Sequence, residues 1–178
     1  MVFIDKNLAQ FIGTTGPLVP HTKVIAFLFN PAMHILGSIG IALLALYYTI
    51  TEKTIYLYTM AQTLAGVFVQ AGKHFFGRVR PIYTHNFEPL SLSLFNTSGI
   101  HHSLPSGHSC VLGIIATFLS IAYPRYRILF IGVATLLAFT RTLDQQHFLS
   151  DVFFGLAIGI LTTLFIFNLL RRYIPHLA

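Results

Sequence analysis

Residues 152–170 read VFFGLAIGILTTLFIFNLL, an apolar stretch that no charged residue interrupts. A helix that crosses the roughly 30 Å hydrocarbon core of a bilayer needs about 20 mostly apolar residues, so this stretch predicts a membrane-spanning helix over 150–171. Similar stretches predict four more spans, at 34–51, 54–72, 108–123 and 126–143. Because lipid offers backbone groups no hydrogen-bond partner, all five spans are predicted to be helical. The sequence therefore predicts an all-α, polytopic membrane bundle.

Composition points the same way and limits the classes of protein that the chain can be. Hydrophobic residues make up 54% of the 178 residues, charged residues only 9%, and the mean hydropathy is +0.72. These values predict a single membrane-embedded domain, residues 1–178. The net charge of +6 does not indicate nucleic-acid binding, because the basic residues lie at the ends of apolar stretches. The single cysteine, Cys110, excludes an internal disulfide.

The basic residues also orient the predicted bundle. Five of them fall on one side if the five spans alternate: Lys53, Arg125, Arg127, Arg171 and Arg172. The positive-inside rule makes that side cytoplasmic. The segment 73–108 then forms an outer loop. We therefore expect an integral membrane protein, such as one of the bacterial inner membrane, with this loop on the periplasmic face.

Residues 1–33 form the N-terminal segment, which the pattern places at the membrane interface. One helical face carries the apolar residues Ile4, Leu8, Phe11 and Ile12. This pattern predicts an amphipathic interfacial helix, with Asp5 among its polar residues. The apolar run 24–29 is too short to span and predicts a second interfacial or partly inserted helix. A sixth crossing is the alternative, so we expect five to six transmembrane helices plus an N-terminal interfacial helix.

Three short polar segments interrupt the apolar chain. Motif one is KHFFGRVRP (residues 73–81), motif two is PSGH (residues 105–108) and motif three is TRTLDQQHFLSD (residues 140–151). Charge is costly next to hydrocarbon, so charged groups gathered there indicate a functional site. The alternation of the spans puts all three motifs on the outer side, against the positive-inside tendency. A site that binds phosphate would account for this.

Motif three carries a histidine and a carboxylate. His147 and Asp151 are four residues apart at the predicted start of the last helix, a spacing that places them on one helical face. The carboxylate would then hold one imidazole N–H and leave the other nitrogen as a base or nucleophile. A charge pair at a helix start, without a catalytic role, is the alternative. Arg141 follows an apolar run and lies six residues before His147, so contact with a lipid headgroup explains its position less well than a place in this site does.

Motif two precedes an apolar run and therefore predicts a helix start. Free backbone N–H groups, the Ser106 hydroxyl and Gly107, which allows close approach, would form an anion pocket there. His108 would lie beside that pocket, where it could donate a proton to a leaving oxygen. The alternative is an ordinary N-cap with a structural histidine.

Motif one supplies basic residues at the predicted end of a helix. Lys73 offers a compact charge and Arg80 offers forked donors, and both suit phosphate oxygens. The alternative is that basic residues at helix ends reach toward lipid headgroups. For Arg78 this alternative stays open as its only role.

The order and spacing of the three motifs resemble the type 2 phosphatidic acid phosphatase family, the membrane branch of a superfamily that also holds bacterial acid phosphatases and vanadium haloperoxidases. The resemblance covers roughly residues 54–170 and includes the placement of the motifs at helix ends. One position departs from the family's pattern, since Thr140 stands where serine is usual before the motif-three arginine. Threonine keeps the hydroxyl, so we expect at most a modest effect.

The resemblance implies a role for each motif residue. His147 would attack phosphorus to give a phosphohistidine, Asp151 would orient it, and His108 would protonate the leaving group. The phosphate oxygens would be bound by Lys73, Arg80, Ser106, Gly107 and Arg141. No metal and no cofactor would be required, because the cations would supply the electrostatics.

These roles predict a membrane phosphatase that acts on a lipid phosphate or lipid pyrophosphate, with the lipid chains entering from the bilayer. Phosphatidylglycerol phosphate, phosphatidate, undecaprenyl pyrophosphate and the lipid A 1-phosphate group all fit. A lipid phosphotransferase on the same scaffold is the first alternative, and an anion transporter is a second, from another class. The sequence leaves the oligomeric state open.

Other residues support weaker predictions. Three further histidines belong to the outer loop: His74, His101 and His102. They have no cysteine or carboxylate at ligand spacing, so a zinc site is disfavoured. Glu88 and Asp144 are candidates for headgroup contacts, although ordinary loop solvation is preferred. Gly155 and Gly159 form a small-xxx-small pair, which predicts close helix packing within the chain in preference to dimerisation.

Overall fold

The computed structural model describes residues 1–15 and 52–173, and these residues are helical apart from loops and one isolated β-bridge between Arg78 and Leu92. The described ranges contain five α-helices: α1 (Val2–Thr15), α2 (Glu52–Phe76), α3 (Gly107–Ala122), α4 (Arg127–Leu143) and α5 (Leu149–Tyr173). Short 3₁₀ helices lie at Pro81–Tyr83, His85–Phe87, Gly99–His101 and Pro124–Tyr126. The all-α prediction is therefore confirmed for this part of the chain.

Four of the predicted spans are helices with nearly the predicted bounds. The spans 54–72, 108–123, 126–143 and 150–171 coincide with α2, α3, α4 and α5. Two stretches, Pro124–Leu143 and Leu149–Arg172, are long and apolar enough to cross a membrane, and Gly107–Ala122 is apolar but shorter. The span 34–51 and the run 24–29 lie outside the described residues. The count of five to six crossings therefore stays a prediction.

Glycines bring α3 and α5 into close contact. A Cβ atom at Gly155 would lie 2.2 Å from the carbonyl oxygen of Ser106, and one at Gly159 would lie 2.1 Å from that of Cys110. The prediction of close packing within the chain is thus confirmed. Since α3 also packs on α2 and α4, it lies between the other helices and holds the start of α5 beside motif two.

The helix α1 buries a polar residue against the rest of the protein and leaves part of its apolar face exposed. Its buried residues are Asp5, Ala9 and Ile12, whereas Ile4 and Phe11 are exposed. The helix lies against α5 and against a short 3₁₀ helix of the outer loop. The predicted helix near the N-terminus is confirmed, whereas the burial of Asp5 was not predicted and the position of the helix at the membrane interface stays a prediction. Hydrogen bonds and an ion pair offset the cost of burying this carboxylate.

The outer loop leaves α2 in a direction that Gly77 determines. Gly77 follows α2 with φ of +53°, and a Cβ atom there would lie 1.7 Å from the carbonyl oxygen of Ser93, so only glycine fits. The backbone N–H of Arg80 then donates to the carbonyl oxygen of Ile100 at 3.0 Å. These contacts hold motif one against the segment that leads into motif two.

Candidate active site

Motif two and motif three meet where α3 and α5 begin. Ser106 is the N-cap of α3, and its side-chain oxygen accepts from the backbone N–H of Ser109 at 3.4 Å. The backbone N–H of Ser106 donates to the carbonyl oxygen of Asp151 at 3.1 Å. Gly107 begins α3 and is buried, and His108 follows it, half-buried. The predicted helix start is thus confirmed, and motif two lies against the first turn of α5.

His147 lies in the turn before α5, with 3% of its surface exposed. Its Nδ1 is 2.6 Å from the backbone carbonyl oxygen of Ser103. A carbonyl oxygen can only accept a hydrogen bond, so Nδ1 carries the proton and Nε2 carries the lone pair. His147 is therefore held in the tautomer that a nucleophile acting through Nε2 requires.

Asp151 does not hold the His147 imidazole directly, contrary to the prediction from their spacing. Its Oδ2 accepts from the Ser103 hydroxyl at 2.6 Å and from the Phe148 backbone N–H at 2.9 Å. The prediction failed because α5 begins at Leu149, so His147 precedes the helix and the four-residue helical spacing does not apply. Asp151 is connected to His147 through Ser103, because its Oδ2 binds the Ser103 hydroxyl and the Ser103 carbonyl oxygen binds Nδ1.

A buried network of charges continues from Asp151 to the N-terminal helix. Arg78 pairs through Nη1 with Asp151 Oδ1, and its Nη2 lies 3.2 Å from Asp5 Oδ2. All three side chains are at most 6% exposed. Asp5, Arg78, Ser103 and Asp151 are hereafter the anchoring network, since together they connect α1, motif one and α5 to the Nδ1 side of His147.

Further contacts show that Arg78 is a buried structural cation. Its Nε donates to the carbonyl oxygen of Pro89 at 2.7 Å, and its Nη1 donates to the Ser150 hydroxyl at 2.7 Å. The guanidinium carbon lies 4.4 Å from the centre of the Phe148 ring. The interpretation of Arg78 as a residue that only reaches toward lipid headgroups was therefore wrong.

Three predicted phosphate-binding cations act electrostatically on His147. Lys73, Arg80 and Arg141 are hereafter the cation cluster. Burial holds the pKa of His147 well below its usual value, and the positive charges of Arg80, Arg141 and Lys73 lower it further. The structure thus brings the three cations, from motif one and motif three, around one neutral imidazole.

The members of the cation cluster differ in how their own donors are used. Arg80 donates through Nε to the carbonyl oxygen of Gly99 at 3.1 Å and through Nη1 to the side-chain oxygen of Gln146. Arg141 is buried and pairs with Asp144 at 2.9 Å. Its Nε is buried and has no hydrogen-bond partner among the described residues. A phosphate oxygen would supply the missing partner.

The other candidate residues have partners of their own. Glu88 forms an exposed ion pair with Lys6, and Asp144 is occupied by Arg141. The rings of His74 and His102 meet edge to face, with centroids 4.8 Å apart. Within residues 1–15 and 52–173, no group of three or more His, Cys, Asp or Glu side chains could hold a metal ion.

Sequence reasoning missed Asp5, Ser103 and the role of Arg78. Ser103 lies only two residues before motif two, but nothing in its surroundings distinguishes it from the other serines of the loop. Asp5 lies 73 positions before Arg78. One available signal was a carboxylate in a predicted membrane-interface helix, since a charge in an apolar setting calls for a partner.

Comparison with known proteins identifies the family. The PAP2 superfamily matches residues 52–175, a range that contains all three motifs. The chain therefore belongs to the PAP2 superfamily, and the predicted relationship to the type 2 phosphatidic acid phosphatases is confirmed. No solved structure matches the chain.

Three curated relatives carry the name lipid A 1-phosphatase. One from Rhizobium etli is 36% identical over 104 residues, which cover 58% of this chain and 44% of the relative. One from Rhizobium johnstonii is 36% identical over 95 residues, covering 53% and 39%. One from Porphyromonas gingivalis is 32% identical over 106 residues, covering 57% and 20%. The chain thus matches less than half the length of each relative.

Proposed function

We propose that the chain is an integral membrane phosphatase that removes phosphate from a lipid phosphate through a phosphohistidine on His147. The observation that carries this proposal is the state of that residue. Its Nδ1–H donates a hydrogen bond to the carbonyl oxygen of Ser103, and burial among three cations favours the neutral ring. A buried neutral imidazole with its lone pair on Nε2, amid positive charge, is suited to attack an anionic phosphorus centre.

The reaction would proceed in two displacements. In the first, Nε2 of His147 bonds to phosphorus while the bond from phosphorus to the leaving oxygen breaks, and His108 gives its proton to that oxygen. In the second, water attacks the phosphohistidine, the P–N bond breaks, His108 takes the proton of the water, and inorganic phosphate leaves. The cation cluster would stabilise the charge on the equatorial oxygens in both steps.

The proposed preferred substrate is the 1-phosphate of lipid A, because the relatives are named for that reaction. A cavity of about 380 Å³ beside Arg80 suits a hydroxylated headgroup, since the polar side chains of Tyr83, Ser98 and Gln146 form part of its lining. A mostly apolar cavity of about 570 Å³ between α2 and α3 is lined by both Lys73 and Gly107. It suits a lipid chain that enters from the side.

The exposed apolar surface supports the proposed membrane position. On α4, Ile128 and Leu136 are 81% and 71% exposed, as expected of side chains that face lipid or neighbouring helices. We propose five to six crossings, with the site on the periplasmic face of a bacterial inner membrane. That orientation rests on the distribution of basic residues at the span ends.

The test is an assay of inorganic phosphate release by the purified full chain in detergent micelles. The substrates are lipid A 1-phosphate, phosphatidate, phosphatidylglycerol phosphate and undecaprenyl pyrophosphate. We expect the fastest release from lipid A 1-phosphate and none above background with His147→Ala. His101→Ala is the matched histidine control and should retain activity.

Each part of the proposal can fail separately. Wild-type activity in His147→Ala would remove His147 from the reaction. Hydrolysis of another lipid in preference to lipid A would overturn the substrate and leave the phosphatase intact. Phosphate transfer that occurs only when a lipid hydroxyl acceptor is added would identify a phosphotransferase.

A further inference from the structure

A carboxylate from the N-terminal helix reaches the base of the candidate active site. Asp5 is 1% exposed, and its Oδ1 accepts from the backbone N–H of Ser150 at 2.9 Å. Its Oδ2 accepts from the Ser150 hydroxyl and from Nη2 of Arg78. Both oxygens of Asp5 are therefore committed to residues that also contact Asp151 or adjoin it in the chain.

The contacts of Arg78 show how Asp5 could influence Asp151. Arg78 lies between two carboxylates, with Nη2 directed to Asp5 and Nη1 to Asp151. Asp5 helps to hold the guanidinium plane through Nη2, and of the two Asp151 oxygens Nη1 binds Oδ1. The other oxygen, Oδ2, remains available to the Ser103 hydroxyl at 2.6 Å. Ser103 in turn presents its carbonyl oxygen to Nδ1 of His147.

We propose that Asp5 is a positioning residue for the reaction, acting on His147 through Arg78, Asp151 and Ser103. The proposal rests on the proposed function, because it takes His147 as the nucleophile. It assigns α1 to the active site, although α1 lies outside the part of the chain that matches the superfamily.

The charge of Asp5 should matter most in the transition state. The anchoring network contains two carboxylates and one guanidinium, so it carries a net negative charge. The imidazole becomes cationic as Nε2 bonds to phosphorus, and a buried negative charge nearby stabilises it. Without the charge of Asp5 the network is neutral, and Arg78 loses the ion pair that holds its Nη2. Ground-state substrate binding involves the cation cluster and should change little.

The test compares Asp5→Asn with the wild-type full chain on the best lipid substrate. Asparagine keeps the size of the side chain and an acceptor for the Ser150 N–H but removes the charge. We expect kcat to fall about tenfold while KM stays within about twofold. We expect the inhibition constant of orthovanadate, which mimics the five-coordinate transition state, to rise about tenfold, and that of inorganic phosphate to stay within about twofold. Inhibition constants do not depend on the fraction of folded enzyme, so misfolding cannot imitate this split.

Lys6→Gln is the matched control, because Lys6 also attaches α1 to the outer loop but lies outside the anchoring network. It should leave all four constants unchanged, and Asp5→Glu should recover part of the vanadate affinity lost in Asp5→Asn. Three results would overturn the proposal: wild-type constants in Asp5→Asn, equal weakening of vanadate and phosphate, or the same losses in Lys6→Gln. Failure of the proposed function gives a different result, because the wild-type protein itself would then show no phosphatase activity that depends on His147.

Discussion

The two groups of charged residues that act on His147 are built on opposite electrostatic principles. The anchoring network pairs one guanidinium with two carboxylates, and its members are almost fully buried. The cation cluster holds three like charges, and among the described residues only its member Arg141 forms an ion pair, with Asp144. Buried like charges are costly and an anion would offset that cost, whereas a paired set already contains its counter-charges.

Arg78 and Arg80 are two positions apart in the sequence, yet one belongs to the anchoring network and the other to the cation cluster. Arg78 meets the carboxylates of Asp5 and Asp151, so its charge is used inside the protein. Arg80 donates to neutral oxygens of Gly99 and Gln146, and no carboxylate among residues 1–15 and 52–173 forms an ion pair with it. We therefore expect Arg78 to determine stability and Arg80 to determine activity.

The largest effect should come from Arg78→Ala, which leaves two buried carboxylates without their cation. Removal of one partner from a buried pair costs about 3–5 kcal/mol, a large share of the stability of a domain of this size. We expect a strongly reduced yield of folded protein and a large fall in the temperature of thermal unfolding in detergent. Arg78→Lys should lie between the wild type and the alanine variant, because lysine keeps the charge but loses the fork.

An exposed arginine provides the control for this effect. Arg125 lies in the turn between α3 and α4 and is exposed, so Arg125→Ala should unfold at the wild-type temperature within about 2 °C. If Arg78→Ala and Arg125→Ala unfolded at the same temperature, the claim that Arg78 stabilises the fold would be wrong.

The next effect should come from Arg80→Ala and should appear in activity alone. Loss of one donor to transition-state charge typically lowers the rate by about 10²–10³. Because removal of Arg80 also relieves its repulsion with Lys73 and Arg141, the unfolding temperature should stay within about 2 °C of the wild type. The measurement is kcat/KM beside a thermal unfolding curve of the same preparation. A large fall in unfolding temperature would place Arg80 among the structural residues and erase the contrast with Arg78.

The same contrast explains how far the sequence could predict the site. The start of α3 at motif two depends on a local N-cap, Ser106, and local signals of this kind are readable in a single sequence. The cation cluster was predictable because each member lies in a motif of fixed spacing. The described helices also began and ended near the predicted bounds, since long apolar stretches allow few alternatives.

The anchoring network could not be predicted, because its contacts join residues that are far apart in sequence. Arg78 has the same local surroundings as a headgroup-binding arginine, and only the distant Asp5 reveals its role. The His147–Asp151 spacing indicated a direct pair, but two residues of loop precede α5 and redirect the carboxylate to Ser103. Helix periodicity predicts contacts only for residues that lie inside the helix.

The smallest effect concerns the protonation of His147, on which both groups of charges act. Burial and the cation cluster hold the pKa of His147 below its usual value near 6.5. As the pH falls, the imidazole of the unfolded chain therefore binds a proton at a higher pH than the imidazole of the folded protein does. The resulting contribution to stability is fully present above about pH 6.5 and is lost, by about 1.4 kcal/mol per pH unit, between that pH and the folded pKa. We expect the unfolding temperature of the wild type to fall more than that of His147→Gln between about pH 8 and about pH 5. Equal falls in unfolding temperature would mean that the folded protein binds the proton as readily as the unfolded chain does. The negative charge of the anchoring network would then determine the pKa of His147, and the positive charge of the cation cluster would not.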